Sequence, residues 1–197
     1  SIFQLRKQGH HVSAQYRGSK ADIWEGGHRV PFLVRWPGMV EAASQSDQLI
    51  TLVDFFATVS DITAEKAPGV AEDSVSFLPA LLGQTIVSSR KGVIHHSVSG
   101  HFAYRQGKWK LLLAKGSGGW SSPKESEVGA KATPAQLYNM EKDPSEQNNL
   151  YLSRPDVAER LLANLTLDVQ RGRSTDGLEA KNDVVNIKLW KSQRGKK

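Results

Sequence analysis

Gly26-Gly27, followed at once by an alternating apolar run, constrains this chain more than any other stretch. The double glycine lets the backbone turn sharply or press against another segment. Val30, Phe32, Val34 and Trp36 then fall on one face of a period-2 strand. Arg29, Pro31, Leu33 and Arg35 fall on the other, and Pro37-Gly38 stops the run. Ahead of the glycines, Arg17-Gly18-Ser19-Lys20 sets two cations beside a hinge. A cation on such a loop, just before a strand, is a place to hold an anion.

The periodicity changes along the chain. Leu52, Phe55, Phe56 and Val59 sit at i, i+3, i+4 and i+7, which predicts a helix of about twelve residues from Thr51 with that stripe in the core. Phe77 to Gly83 reads as a helical turn with proline near its start and glycine as its stop. From Gly92 the period becomes two. Gly92–Ser97 is a strand, and His101–Arg105 and Lys108–Leu113 are a hairpin turning at Gln106-Gly107. Gln136–Met140 is a further strand, and Asp143-Pro144-Ser145-Glu146 is a β-turn. Ser153 as cap, Pro155, and the stripe Val157, Leu161, Leu165 and Val169 mark a closing helix that Gly172 ends. The fold expected is α/β over residues 1–88, then a small α+β subdomain over 89–177 with an antiparallel sheet packed by the C-terminal helix, then a basic tail over 178–197.

Composition removes several classes. Of the net charge of +6, five units lie in residues 181–197, where six cations face Asp183 alone. The basic balance belongs to a solvated tail, and no nucleic-acid module accompanies it. With no cysteine, disulfides, thiolate metal sites and a cysteine nucleophile are absent. No apolar run approaches membrane-spanning length. Gly9-His10-His11 has no carboxylate or third histidine close by to complete a metal site, so His11 is read as a residue at the rim of a substrate pocket. Asp73-Ser74 lacks a nearby base. Gly116-Ser117-Gly118-Gly119-Trp120 lacks the lysine and helix of a phosphate-binding loop, and reads as a mobile loop whose tryptophan can stack on a substrate ring.

The stretch Gly18-Ser19-Lys20, Glu25-Gly26-Gly27-His28-Arg29-Val30-Pro31 and Trp36-Pro37-Gly38 resembles the sulfatase family, the arylsulfatase-type hydrolases related to alkaline phosphatase. Asp54-Phe55-Phe56-Ala57-Thr58 fits the family's next helix. Gly107-Lys108-Trp109-Lys110-Leu111, Gln136-Leu137-Tyr138-Asn139-Met140 and Asp143-Pro144 with Glu146, Asn149 and Leu150 follow the order of its C-terminal subdomain. The resemblance covers residues 17 to 177. It implies the end of an alkaline-phosphatase-like α/β domain and an enzyme that hydrolyses sulfate esters, with Lys20 holding the sulfate. His28 replaces an apolar residue and is a candidate for the pocket; Glu25 and Arg29 brace the double-glycine turn.

The family's formylglycine arises from a Cys or Ser in Cys/Ser-x-Pro-Ser-Arg, and paired aspartates with a later Asp-Asn bind a Ca2+-type cation. None of these motifs occurs here, and Ser121-Ser122-Pro123-Lys124 lacks the Ser-Arg ending. The chain is therefore expected to be one part of a longer sulfatase, inactive alone, with the metal and the formylglycine bound outside it. The expected partners are a small-molecule or carbohydrate sulfate ester and the remainder of the sulfatase chain. The resemblance also implies a periplasmic or secreted setting. Two other readings are a phosphoryl or phosphonate hydrolase of the same superfamily and a non-catalytic remnant acting as a binding module.

Overall fold

The structure, a computed structural model, describes residues 2–65 and 70–191. The elements run α1 (Ile2–Lys7), α2 (Glu25–His28), α3 (Asp54–Thr63), α4 (Leu78–Leu81), β1 (Val93–His96), β2 (Phe102–Gln106), β3 (Trp109–Leu112), β4 (Gln136–Asn139) and α5 (Pro155–Arg171). They gather into two compact units, one of Ser1–Val30, Ile94–Leu165 and Asn186–Lys197, the other of Pro31–Val93 and Thr166–Val185.

The first unit is built on a sheet in the order β1-β2-β3-β4, with β2–β3 and β3–β4 antiparallel. Opposite residues share a face, so the register sorts the side chains. Ala103, Leu112 and Gln136 make one row and Arg105, Lys110 and Tyr138 the next, all on one face. Tyr104, Leu111 and Leu137 lie on the other. Ile23 and Trp24 cover the first face, in a core with Ala103, Leu112, Ala114, Tyr138 and Met140. The opening half of α5 serves the second face, where Arg160 and Asn164 bond the Gln106 side chain. The sheet is thus enclosed on both sides, and Tyr104, Leu112 and Leu137 are fully buried.

The strands and α5 stand where periodicity placed them, with two corrections. The hairpin register pairs Gln106 with Trp109, so the turn is Gly107-Lys108, with Gly107 at φ +54°. Glycine takes the first turn position because the left-handed φ is needed there. Ser153 does not cap α5; its hydroxyl donates to the Leu150 carbonyl. The Asp143–Glu146 turn closes as expected, through Glu146 N to Asp143 O at 3.1 Å. The tail is not wholly solvated: Trp190 joins Leu111, Leu113, Pro155 and Leu162 around a small apolar hollow. Residues 192–197 of the tail lie outside the described residues.

The second unit departs further. Residues 30–36 form no strand; Val30, Phe32, Leu33 and Val34 are exposed, Leu33 by 88%. Alternation prescribes an extended chain, but a strand also needs a neighbour's N–H and C=O groups, and the described residues supply none. Helix α3 forms, yet its predicted core stripe is exposed: Leu52 by 77%, Phe56 by 50%, Val59 by 51%. What α3 buries instead is Asp54 and Thr58. Asp54 takes both arms of Arg90, at 2.7 and 2.9 Å, and the amides of Thr51 and Val75. Thr58 accepts the Phe77 amide, and Phe32, Phe55 and Phe77 meet edge to face. Asp73 and Ser74 are occupied structurally. Asp73 accepts from Ser174, and Ser74 bridges Val53 O and Ala57 N.

Candidate active site

The site lies in the first unit, where residues 17–28 sit on the sheet. Gly18, at φ +79°, bends the chain so that Asp22 closes back on the Ser19 amide at 2.8 Å. The one-turn helix α2 then packs so tightly that a Cβ on Gly26 would stand 2.5 Å from the Arg17 carbonyl. One on Gly27 would stand 2.2 Å from that of Asp22. The double glycine is a close approach of backbone to backbone, which no larger residue permits. Arg17 is not a free cation. Its guanidinium stacks on Trp24 at 3.8 Å and donates to the Glu146 carbonyl at 2.8 Å.

Beneath α2 is a buried ionic cluster. Lys110, wholly buried, donates to Glu25 Oε1 and Glu146 Oε1, each at 2.9 Å. Arg105 reaches Glu25 Oε2 at 3.1 Å, and the Glu25 amide donates to Glu146 Oε2 at 2.6 Å. Two carboxylates therefore face two cations with their oxygens occupied, the condition for burying charge. Burial works to raise the Glu25 carboxyl, but Lys110, Arg105 and Arg29 together hold it below its ordinary value. Burial lifts that of Glu146, and Lys110 only partly offsets it. The cluster ties the double-glycine turn to the hairpin and to the Asp143–Glu146 turn. Glu25 does brace the turn as expected, while Arg29 stands farther off, at 4.0 Å.

Of the candidate residues, Lys20 is exposed and makes no hydrogen bond or ion pair with the described residues. His11 lines an open groove of about 660 Å³ together with Tyr16, Arg17, Trp24, Ser121, Ser122 and Gln147. His28 lines neither described hollow. Its ring bonds the Asp22 backbone and packs on His95 at 4.2 Å, and its buried Nε2 has no partner among the described residues. Burial, and then the Lys110 charge, push its pKa down to about 4, so the ring is neutral at pH 7. Trp120 is 51% exposed, but its loop is pinned rather than free. Asp22 Oδ1 accepts the Trp120 amide at 2.8 Å and the Ser121 amide at 3.0 Å. Glu125 accepts the amides of Lys115, Gly116 and Gly118. The glycine loop thus spends its amides within the protein, on the carboxylates of Glu125 and Asp22, the Pro123 carbonyl and the Ser117 hydroxyl.

Sequence reasoning missed Asp22, Lys110 and Glu146. A signal for the last two existed: Lys110 shares a strand face with apolar Leu112, and Glu146 closes the Asp-Pro turn. Asp22 carried none. Among the described residues no three His, Cys, Asp or Glu side chains come together as metal ligands. The buried carboxylates of this unit are engaged by backbone amides or by cations. The carboxylates here do not fit a Ca2+-type ion.

Comparison with known proteins points to one family. The family model described as Sulfatase matches residues 8–65. The N-acetylgalactosamine-6-O-sulfatase of Bacteroides thetaiotaomicron is 32% identical over 157 residues, covering 79% of this chain and 30% of that protein. Human arylsulfatase A is 31% identical over 149 residues, covering 70% and 29%. A solved structure from the metabolism of multiple glycosaminoglycans by Bacteroides thetaiotaomicron superposes with a TM-score of 0.70 at 30% identity, covering 86% of this chain and 35% of that one. The chain spans about a third of the length of these relatives.

Proposed function

From the chain's membership of the sulfatase family, we propose that it forms one wall of a sulfate-ester hydrolase active site, with Lys20 as the cation that holds the sulfate. The observation that carries this reading is the contrast among the charges on the loop and on the sheet beneath it. Arg17, Glu25, Arg105 and Lys110 are all spent on stacking and ion pairs, whereas Lys20 stands exposed on the loop. A compact ammonium with three donors suits a tetrahedral anion. Its role is to bind a sulfate oxygen and to stabilise the negative charge that grows as the ester oxygen leaves.

The formylglycine and the Ca2+-type cation of the family, which supply the nucleophile and polarise the sulfate, belong in this reading to residues outside the chain. In this reading the chain alone is inactive. The end of an alkaline-phosphatase-like domain is part of the same proposal. The exposed side chains of residues 30–34 and of α3 support it, as an apolar face that the rest of such a domain covers. The name of the bacterial relative favours a sulfated sugar as substrate.

The test is Lys20→Ala in the full-length enzyme. By analogy with loss of one preorganised donor to a developing anion, turnover falls about 100- to 1000-fold. Turnover near that of the unaltered enzyme removes Lys20 from the site.

A further inference from the structure

Two loops meet beside Lys20. Ile23 N donates to Ser117 O at 2.8 Å. A Cβ built on Gly119 would lie 2.4 Å from the Ala21 carbonyl, and Ser19 Oγ is 3.5 Å from Ser121 Oγ. Lys20 stands at the corner of a turn that Asp22 N closes on Ser19 O at 3.0 Å. The buried Asp22 carboxylate ties this turn to the second loop by accepting the Ser19, Trp120 and Ser121 amides together, so the backbones of Lys20 and Trp120 flank one carboxylate.

Lys20 and Trp120 are both exposed, and the indole stacks on no ring or cation among the described residues. A half-exposed indole on a pinned backbone has little freedom left to lose on binding, and its backbone is held by the carboxylate that also closes the Lys20 turn. A sulfated sugar presents the matching pair of surfaces, an anionic ester and a ring face of C–H groups.

We infer that Trp120 stacks on the sugar ring whose sulfate Lys20 holds, and so sets the preference for sulfated carbohydrates. The inference rests on the reading of Lys20 given above, and the experiment separates the two. In the full-length enzyme, Trp120→Ala and Trp120→Phe are measured beside Lys20→Ala, on whichever of a panel of sulfated monosaccharides is turned over fastest. Trp120→Ala raises KM about tenfold with kcat within a few-fold, as loss of one stacking contact predicts. Trp120→Phe, which keeps a ring and the amide donors to Asp22, recovers most of it. Saturating sugar changes the tryptophan emission of the wild-type enzyme, and the change is lost in Trp120→Phe.

An unchanged KM in Trp120→Ala, a Phe variant as impaired as the Ala variant, or an enzyme that hydrolyses an aryl sulfate but no sugar of the panel overturns the inference. Unchanged turnover in Lys20→Ala overturns the lysine's role alone.

Discussion

In the first unit Lys110 and Glu146 are fully buried, while in the second Leu52 and Leu33 stand 77% and 88% exposed. One region hides charges and the other displays hydrocarbon. Each reverses the usual rule, but only the first reversal is balanced. Every ion of the Glu25–Lys110–Glu146 cluster has a partner within 3.1 Å. The open face of α3 has no such compensation, and its polar side, built on Asp54 and Arg90, is the side that is buried. The difference teaches which region closes its own surface. The sheet and the residue 17–28 loop close on one another, whereas α3 turns apolar side chains to solvent.

The largest effect belongs to the buried cluster. Lys110→Met removes the ion pair of Glu146 and leaves Glu25 with Arg105 and the more distant Arg29, and a broken buried pair costs about 3–5 kcal/mol. Denaturant unfolding of the chain measures this loss. Adding Glu146→Gln to Lys110→Met removes one orphaned charge while keeping an oxygen for the Glu25 amide, so part of the loss returns. A single variant within about 1 kcal/mol of wild type would mean the cluster is not the closure described, and the contrast between the two units would fail.

A smaller effect tests the histidines above the same cluster. The folded pKa of His28 is about 4 against an ordinary 6.5, and His95 beside it is also pushed down by burial. Between those values the unfolded chain binds the proton that the folded chain refuses. Stability is therefore complete above pH 6.5 and is lost as pH falls toward 4. For His28, discounted because the ring is not fully enclosed, the loss is about 1–2 kcal/mol, a few degrees in Tm. Thermal unfolding across that window should show the decline, and His28→Gln should flatten it. A decline equally steep in the variant assigns it to other groups.

These features were unequally legible in the sequence. Gly107, the Asp143-Pro144 turn and the stripe of α5 are local codes, and each produced its element within a residue or two. The alternation of 30–36 prescribed an extended backbone, but pairing depends on a partner that a period cannot name. Lys110 and Asp22 were invisible for a related reason. Lys110 finds its carboxylates 85 and 36 residues away, and Asp22 finds the Trp120 amide 98 residues away. The family motif marked Lys20, but only the fold ties its turn to the Trp120 loop through Asp22.

The smallest effect on this chain is also the one that bears hardest on the comparison. Phe56 and Val59 lie on the exposed face of α3, half accessible, so Phe56→Ser or Val59→Ser removes little burial. Surface substitutions of this kind stay within about 0.5 kcal/mol, and unfolding of the chain should register no more than that. If α3 is covered in a full-length sulfatase, the same substitutions there open a cavity and bury a hydroxyl, at about 2–4 kcal/mol. The measurement is the difference between the two contexts, with each variant unfolded in the chain and in the longer enzyme. Equal, small effects in both would show that the α3 face stays open in the enzyme. They would leave the residue 17–28 loop on its sheet as the part of this chain that builds the site.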